Sequence, residues 1–164
     1  MRRLQAVSLK ILLLLAGLHD EHVPHRIYIA DPSIPPHKVA FNHTSSPSLR
    51  KRRNHALMCE VSYSASKPAR PDAELVSETA GWLFANGFID SLHDVVRHRV
   101  VDLRYGYPVP THDKPEIVAE ISEYLEQWGI YSIGRFGSWS YANSDECMRQ
   151  GLELARRISG GSLA

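Results

Sequence analysis

Gly129-Ile-Tyr-Ser-Ile-Gly-Arg-Phe-Gly-Ser-Trp-Ser-Tyr-Ala-Asn-Ser-Asp-Glu-Cys-Met-Arg-Gln-Gly-Leu-Glu-Leu-Ala-Arg-Arg-Ile158 reads as a short strand, a glycine-bearing polar turn and a closing helix. Gly134 and Gly137 let the backbone pass close to a bulky neighbour. Arg135, Trp139 and Tyr141 crowd the same turn. Asn143, Ser144 and Asp145 are all good N-cap residues. A helix start of this kind offers unpaired N–H groups and partial positive charge to an electron-rich ligand. An ordinary capped strand–turn–helix has the same pattern.

Outward from that stretch, strands and helices are mixed, which predicts an α/β or α+β fold. Ala56-Leu-Met-Cys-Glu-Val-Ser-Tyr63 is a strand candidate, as are 26–30 and 37–43. Asp31-Pro-Ser-Ile-Pro-Pro36 is an extended connector, because its prolines exclude a helix interior. Residues 44–54 form a polar loop ending in Arg50-Lys-Arg-Arg53. Asp72 caps a helix that Gly87 stops, and Leu75, Val76, Thr79, Leu83 and Phe84 share its core face. Val95 to Tyr105 is a long strand, broken by Tyr105-Gly-Tyr-Pro-Val-Pro110. Pro115 opens a further helix whose apolar stripe is Ile117, Ile121, Tyr124, Leu125 and Trp128.

Length, 164 residues, suits one domain, and a net charge of +1 gives no support to nucleic-acid binding. Met1-Arg-Arg-Leu4 followed by Ile11-Leu-Leu-Leu-Leu-Ala-Gly-Leu18 has the outline of a secretory signal. No small-x-small cleavage site follows, and the run is far short of the ~20 residues that span a bilayer. A buried strand is the preferred reading, with a cytoplasmic, non-membrane protein expected. Were the segment secretory, the chain would be a small secreted domain and Asn42-His-Thr44 a glycosylation sequon.

The two cysteines, Cys59 and Cys147, lie far apart; they could pair, but free thiols are the simpler reading. Among nine histidines, His19, His22 and His25 are spaced by three, yet Pro24 interrupts any helix that would align them. They read as solvated, and no metal site is expected. Cys147 with His98 or His112 would make a nucleophile pair, against which a packed thiol is the better expectation. GxGxxG, Walker A and GxSxG patterns are absent. Tyr105, Tyr107, Trp139 and Tyr141 fall in two turns with Arg104 and Arg135. A forked cation beside phenolic hydroxyls suits a diphosphate, and the same rings would also fill a core.

Gly134-Arg-Phe-Gly-Ser-Trp-Ser-Tyr141, with Asn143-Ser-Asp145 and Gly151, resembles the C-terminal flavin-contacting motif of UDP-galactopyranose mutases and their amine-oxidase-like FAD relatives. Ile27–Val39, Leu57–Ser62 and Tyr105–Pro110 resemble further family segments in the same order, so the resemblance runs from about residue 26 to 158. It implies the C-terminal portion of a FAD-binding Rossmann-type fold with an interleaved substrate-domain sheet, the N-terminal dinucleotide fingerprint being absent. Residues 1–71 would be substrate-domain strands and loop, and 72–164 helices and the flavin-contacting segment. The chain would then match the last third of a FAD-dependent oxidoreductase or sugar-nucleotide mutase, as a truncated product or a split subunit. An N-terminal FAD-binding chain is the implied partner and a small molecule the implied substrate.

The resemblance places Gly134, Arg135, Asn143 and Asp145 at the flavin. It places Lys38, Tyr107, Arg135 and Tyr141 at the substrate, and leaves the catalytic residue open. Lys38 stands where the mutases carry an arginine; Ser140 and Ala142 also depart from their pattern. The alternative is a non-catalytic binding module or a degenerate flavoprotein.

Overall fold

The computed structural model describes residues 4–19 and 22–160. Met1-Arg-Arg3 of the signal-like reading and Asp20-Glu21 of the histidine-rich run lie outside them. The strands are β1 (Ala6–Ala16), β2 (Arg26–Tyr28), β3 (Lys38–Phe41), β4 (His55–Tyr63) and β5 (Val95–Pro108). The helices are α1 (Pro47–Arg50), α2 (Asp72–Ala85), α3 (Lys114–Glu126), α4 (Gly134–Gly137) and α5 (Ser144–Ile158). The expected mixed α/β class holds. The strands form one sheet in the order β2-β3-β4-β1-β5. Pairing is antiparallel between β1 and β4, β3 and β4, and β2 and β3. The chain divides into two compact units, residues 8–104 and, among the described residues, 4–7 with 105–160.

In the 8–104 unit, period-two alternation builds the core. Register sets Leu12 opposite Cys59 and Leu14 opposite Leu57, with Val39 and Phe41 opposite the same two residues from the other side. All six are buried, and they cluster with Leu75, Val76 and Leu83 of α2. Each such leucine contributes roughly 1.5–3 kcal/mol by leaving water. The apolar run expected to be a buried strand is β1.

Several expectations need correction. Phe84 is exposed, so the buried stripe of α2 is narrower than its apolar pattern. Asp72 is the first residue of α2 and Pro71 its cap; the Asp72 carboxylate accepts from Lys10 Nζ instead. That bond raises the Lys10 pKa. Residues 44–54 are not plain loop: a 3-10 turn at Asn42–Ser45 and α1 occupy part of them. β5 continues through Tyr105-Gly-Tyr107 to Pro108, and Val109 N still donates to Gln5 O at 2.8 Å beyond it.

In the 105–160 unit, Ile117 of α3 is buried but Ile121, Tyr124 and Trp128 of the expected stripe are exposed. The short strand expected after Gly129 belongs to no sheet, and Gly134–Gly137 is a helical turn. Periodicity identifies which face is apolar; whether it is covered depends on what else is present.

Candidate functional site

The turn between residues 133 and 143 is built by its own hydrogen bonds. Ser138 N and Oγ both donate to Gly134 O, at 2.8 and 2.7 Å, and Ser140 N donates to Arg135 O at 2.8 Å. Gly134 takes a left-handed φ of +79°, and its N–H donates to Gln150 Oε1 of α5 at 2.7 Å. Gly137 is required for space: a Cβ there would lie 2.9 Å from Ser132 C.

The left-handed backbone of Trp139 is a feature that its sequence context does not signal. Its φ is +47°, a region that costs a non-glycine residue of order 1–3 kcal/mol. The indole N–H donates to Gln5 O at 2.9 Å, and the ring meets Phe136 edge-on at 6.1 Å. Leu4, Tyr105, Phe136 and Trp139 line an open groove of about 520 Å³.

Arg135, Tyr141 and Tyr107 are brought together. The Tyr107 and Tyr141 rings stack at 5.9 Å and 17°, and the Arg135 guanidinium lies 5.8 Å from the Tyr141 ring centre. Arg135 Nε donates to Ala142 O at 3.1 Å, which fixes the plane of the fork. Its two terminal nitrogens and the Tyr141 hydroxyl make no hydrogen bond among the described residues. They form a half-exposed cationic fork beside a phenol, a set of donors with no acceptor of its own.

Asn143 is the N-cap of α5, but its side chain accepts no bond from the helix. Asp145 and Glu146 occupy the first turn. Arg149 bonds Glu146 and holds its carboxyl down at about 2. An ionised Glu146 at that end disfavours a second anion there and leaves room for a neutral, electron-rich edge.

Lys38 belongs to the other unit. Its ammonium is paired with Glu60 Oε1, and His37 Nε2 lies 3.6 Å from Glu60 Oε2. Burial, the larger effect, lowers the His37 pKa; Glu60 opposes it. Lys38 also borders a cavity of about 480 Å³ with His25, Arg26, Asn42 and Ser45. Thr44 Oγ1 donates to Phe41 O at 2.7 Å and therefore accepts from His25 Nδ1, also at 2.7 Å. That places a proton on Nδ1. Sequence analysis did not single out Glu60, since a glutamate within a strand carries no sign of its partner.

His19 Nδ1 lies 2.7 Å from Asp90 Oδ1, so two of the three histidines spaced by three have separate partners. Among the described residues no group of three or more His, Cys, Asp or Glu could hold a metal ion. Cys59 and Cys147 are free thiols, and burial pushes Cys59 up to about 12. Among the described residues no helix is long and apolar enough to cross a membrane.

No protein-family model matches the sequence. Among solved structures the fold matches part of a longer chain. The chain is similar to reduced UDP-galactopyranose mutase, with a TM-score of 0.82 and 23% identity over 98% of this chain. It spans 35% of the length of that mutase chain. At this identity the likeness shows the fold.

Proposed function

We propose that this chain is the C-terminal part of a cytoplasmic, amine-oxidase-like FAD flavoprotein similar to UDP-galactopyranose mutase, acting through flavin on a small, sugar-nucleotide-type substrate. A polypeptide bearing the dinucleotide fingerprint would complete it. The observation that carries this is the near-complete match of the chain to about a third of a mutase fold. Its turn carries an unengaged arginine fork against stacked tyrosines.

The residues present fit part of the cofactor. The cap side chain of Asn143 is not used by the helix, so it and the first N–H groups of α5 suit the neutral carbonyl edge of a flavin ring. The acidic first turn does not suit a pyrophosphate, which needs a glycine-rich cradle elsewhere. The chemistry a bound flavin brings is hydride or electron transfer. Within this chain, Gly134 gives the turn its close approach to α5, Arg135 holds an anionic group by its free fork, and Tyr141 donates its hydroxyl beside it. Tyr107 keeps the Tyr141 ring in place by stacking.

A non-catalytic binding module is favoured by one observation: Lys38 is already bound to Glu60 and offers no unpaired cation to a substrate phosphate. A flavin spectrum separates the two. The purified chain is expected to show no flavin absorbance alone and to gain it when co-expressed with a polypeptide supplying the missing FAD-binding region. Arg135→Ala and Tyr141→Phe should each weaken binding of UDP to that complex by ~10–100-fold, the worth of a hydrogen bond to a charged group. A complex without flavin, or one indifferent to both substitutions, means the binding-module function.

A further inference from the structure

Residues 42–54 join β3 to β4 and contain the run Arg50-Lys-Arg-Arg53, which the proposed function leaves unused. The connection is pinned rather than slack. Thr44 Oγ1 donates to Phe41 O, and Arg50 Nη2 donates to Thr44 O at 2.9 Å. His43 is 1% exposed and meets the Phe41 ring edge-on at 6.5 Å. Its ring lies 4.1 Å from that of His55, the first residue of β4, which is also buried.

The two imidazoles border a cavity of about 480 Å³ with an apolar wall of Leu15, Leu49 and Ala56. That volume falls among small-molecule pockets, which run from about 300 to 1,000 Å³. Leu15 and Ala56 are paired across the β1–β4 ladder, so most of the wall is sheet. Leu49, on the one-turn α1, is left 43% exposed.

Arg52 and Arg53 also line the cavity. Arg50 is engaged by the loop, but the side chains of Lys51, Arg52 and Arg53 make no hydrogen bond or ion pair among the described residues. Arg53 borders a second cavity with Asp90 and Asp94. Those carboxylates are taken by His19 and by the N–H groups of Asp90 and Ser91. In a chain whose net charge is +1, three adjacent cations thus stand uncompensated beside one recess. A guanidinium fork matches a carboxylate or phosphate with two parallel bonds.

We propose that this cavity binds a small anionic amphiphile, its carboxylate or phosphate head on Arg52 and Arg53 and its apolar body against Leu15, Leu49 and Ala56. Because the wall belongs mainly to the sheet and not to the projecting loop, the ligand is taken as a single molecule. The site lies roughly 17 Å along β4 from Glu60, at about 3.4 Å per residue, and does not depend on flavin.

The test is calorimetric titration of the full chain with decanoate and with decyl phosphate, each below its micelle concentration. At least one should bind saturably, one molecule per chain. Decanol, which lacks the charge, and acetate, which lacks the chain, should bind at least ~10-fold more weakly. Replacing both arginines (Arg52→Gln with Arg53→Gln) should weaken binding ~10–100-fold, the worth of hydrogen bonds to a charged group. Ala56→Phe, at an exposed strand position, fills the apolar wall and should weaken it as much; an unchanged denaturation midpoint shows that each variant is folded. Saturable binding of neither probe overturns the inference, as does acetate binding as tightly as decanoate or binding indifferent to the arginine pair. Binding to phosphatidylserine vesicles without uptake of either monomeric probe overturns it too, and marks a membrane contact.

Discussion

Residues 8–104 and 105–160 carry apolar residues in similar proportion and use them to opposite effect. In the first, β1, β3, β4 and α2 bury Leu12, Leu14, Val39, Phe41, Leu57, Leu75 and Leu83 against one another. In the second, Ile117 and Ala142 are buried, while Ile121, Tyr124, Trp128, Ile130, Phe136, Met148 and Leu152 are exposed. The first holds itself together by area removed from water. The second holds its turn by hydrogen bonds and leaves its apolar area available. The self-sufficient core and the turn that brings Arg135, Tyr107 and Tyr141 together therefore fall in different parts of the chain.

The largest break in that comparison is expected from Leu57→Ala, which should cost about 2–5 kcal/mol in chemical denaturation. Trp128→Ala should move the same midpoint by less than ~0.5 kcal/mol. Equal effects would erase the distinction. Next comes Glu60→Gln, which leaves the mostly covered Lys38 ammonium without its carboxylate; about 1.5–3 kcal/mol is expected by the same measurement. Gly137→Ala forces a Cβ to within 2.9 Å of the Ser132 backbone. It should cost about 1–3 kcal/mol, read as faster exchange of the α4 and α5 amides with β4 unaffected.

Thiol labelling sharpens the contrast without altering stability. Cys147 is half-buried and Cys59 buried with its thiol pushed up to about 12. Native protein at neutral pH should take one equivalent of iodoacetamide, at Cys147, and the second only after unfolding. The smallest effect is that of His37. Burial lowers its folded-state pKa below 6.5, so the unfolded chain takes the proton first as pH falls. Stability should decline as pH drops below about 6.5, and His37→Asn should flatten that slope in denaturation midpoints between pH 7 and 5.

β1 was legible from its continuous apolar run, β4 from its strand-like composition and the helix α2 from its stripe, although β1 finds β4 across a long separation, Leu12 opposite Cys59. Misread positions share one cause, that burial belongs to the neighbour as much as to the residue. Tyr124 and Trp128 have the spacing of a core face and no core. Residues 130–133 have the composition of a strand and no ladder. At the candidate site, Arg135, Tyr107 and Tyr141 were legible from chemistry, and they do meet. The Lys38–Glu60 pair was not, because cross-strand register joins residues that sequence separates. Nor was the left-handed Trp139, which no residue pattern announces.

The bond from the Trp139 indole to Gln5 O joins residues 134 positions apart. During synthesis Gln5 leaves the ribosome before Trp139 and waits until the residues between them have been made. The contiguous 8–104 stretch can condense in the meantime, since its pairings close over shorter loops. A nascent chain whose residues up to 108 have cleared the ribosome would thus carry all five strands and an unfinished turn, and the apolar residues of α3 and α5 would emerge after them.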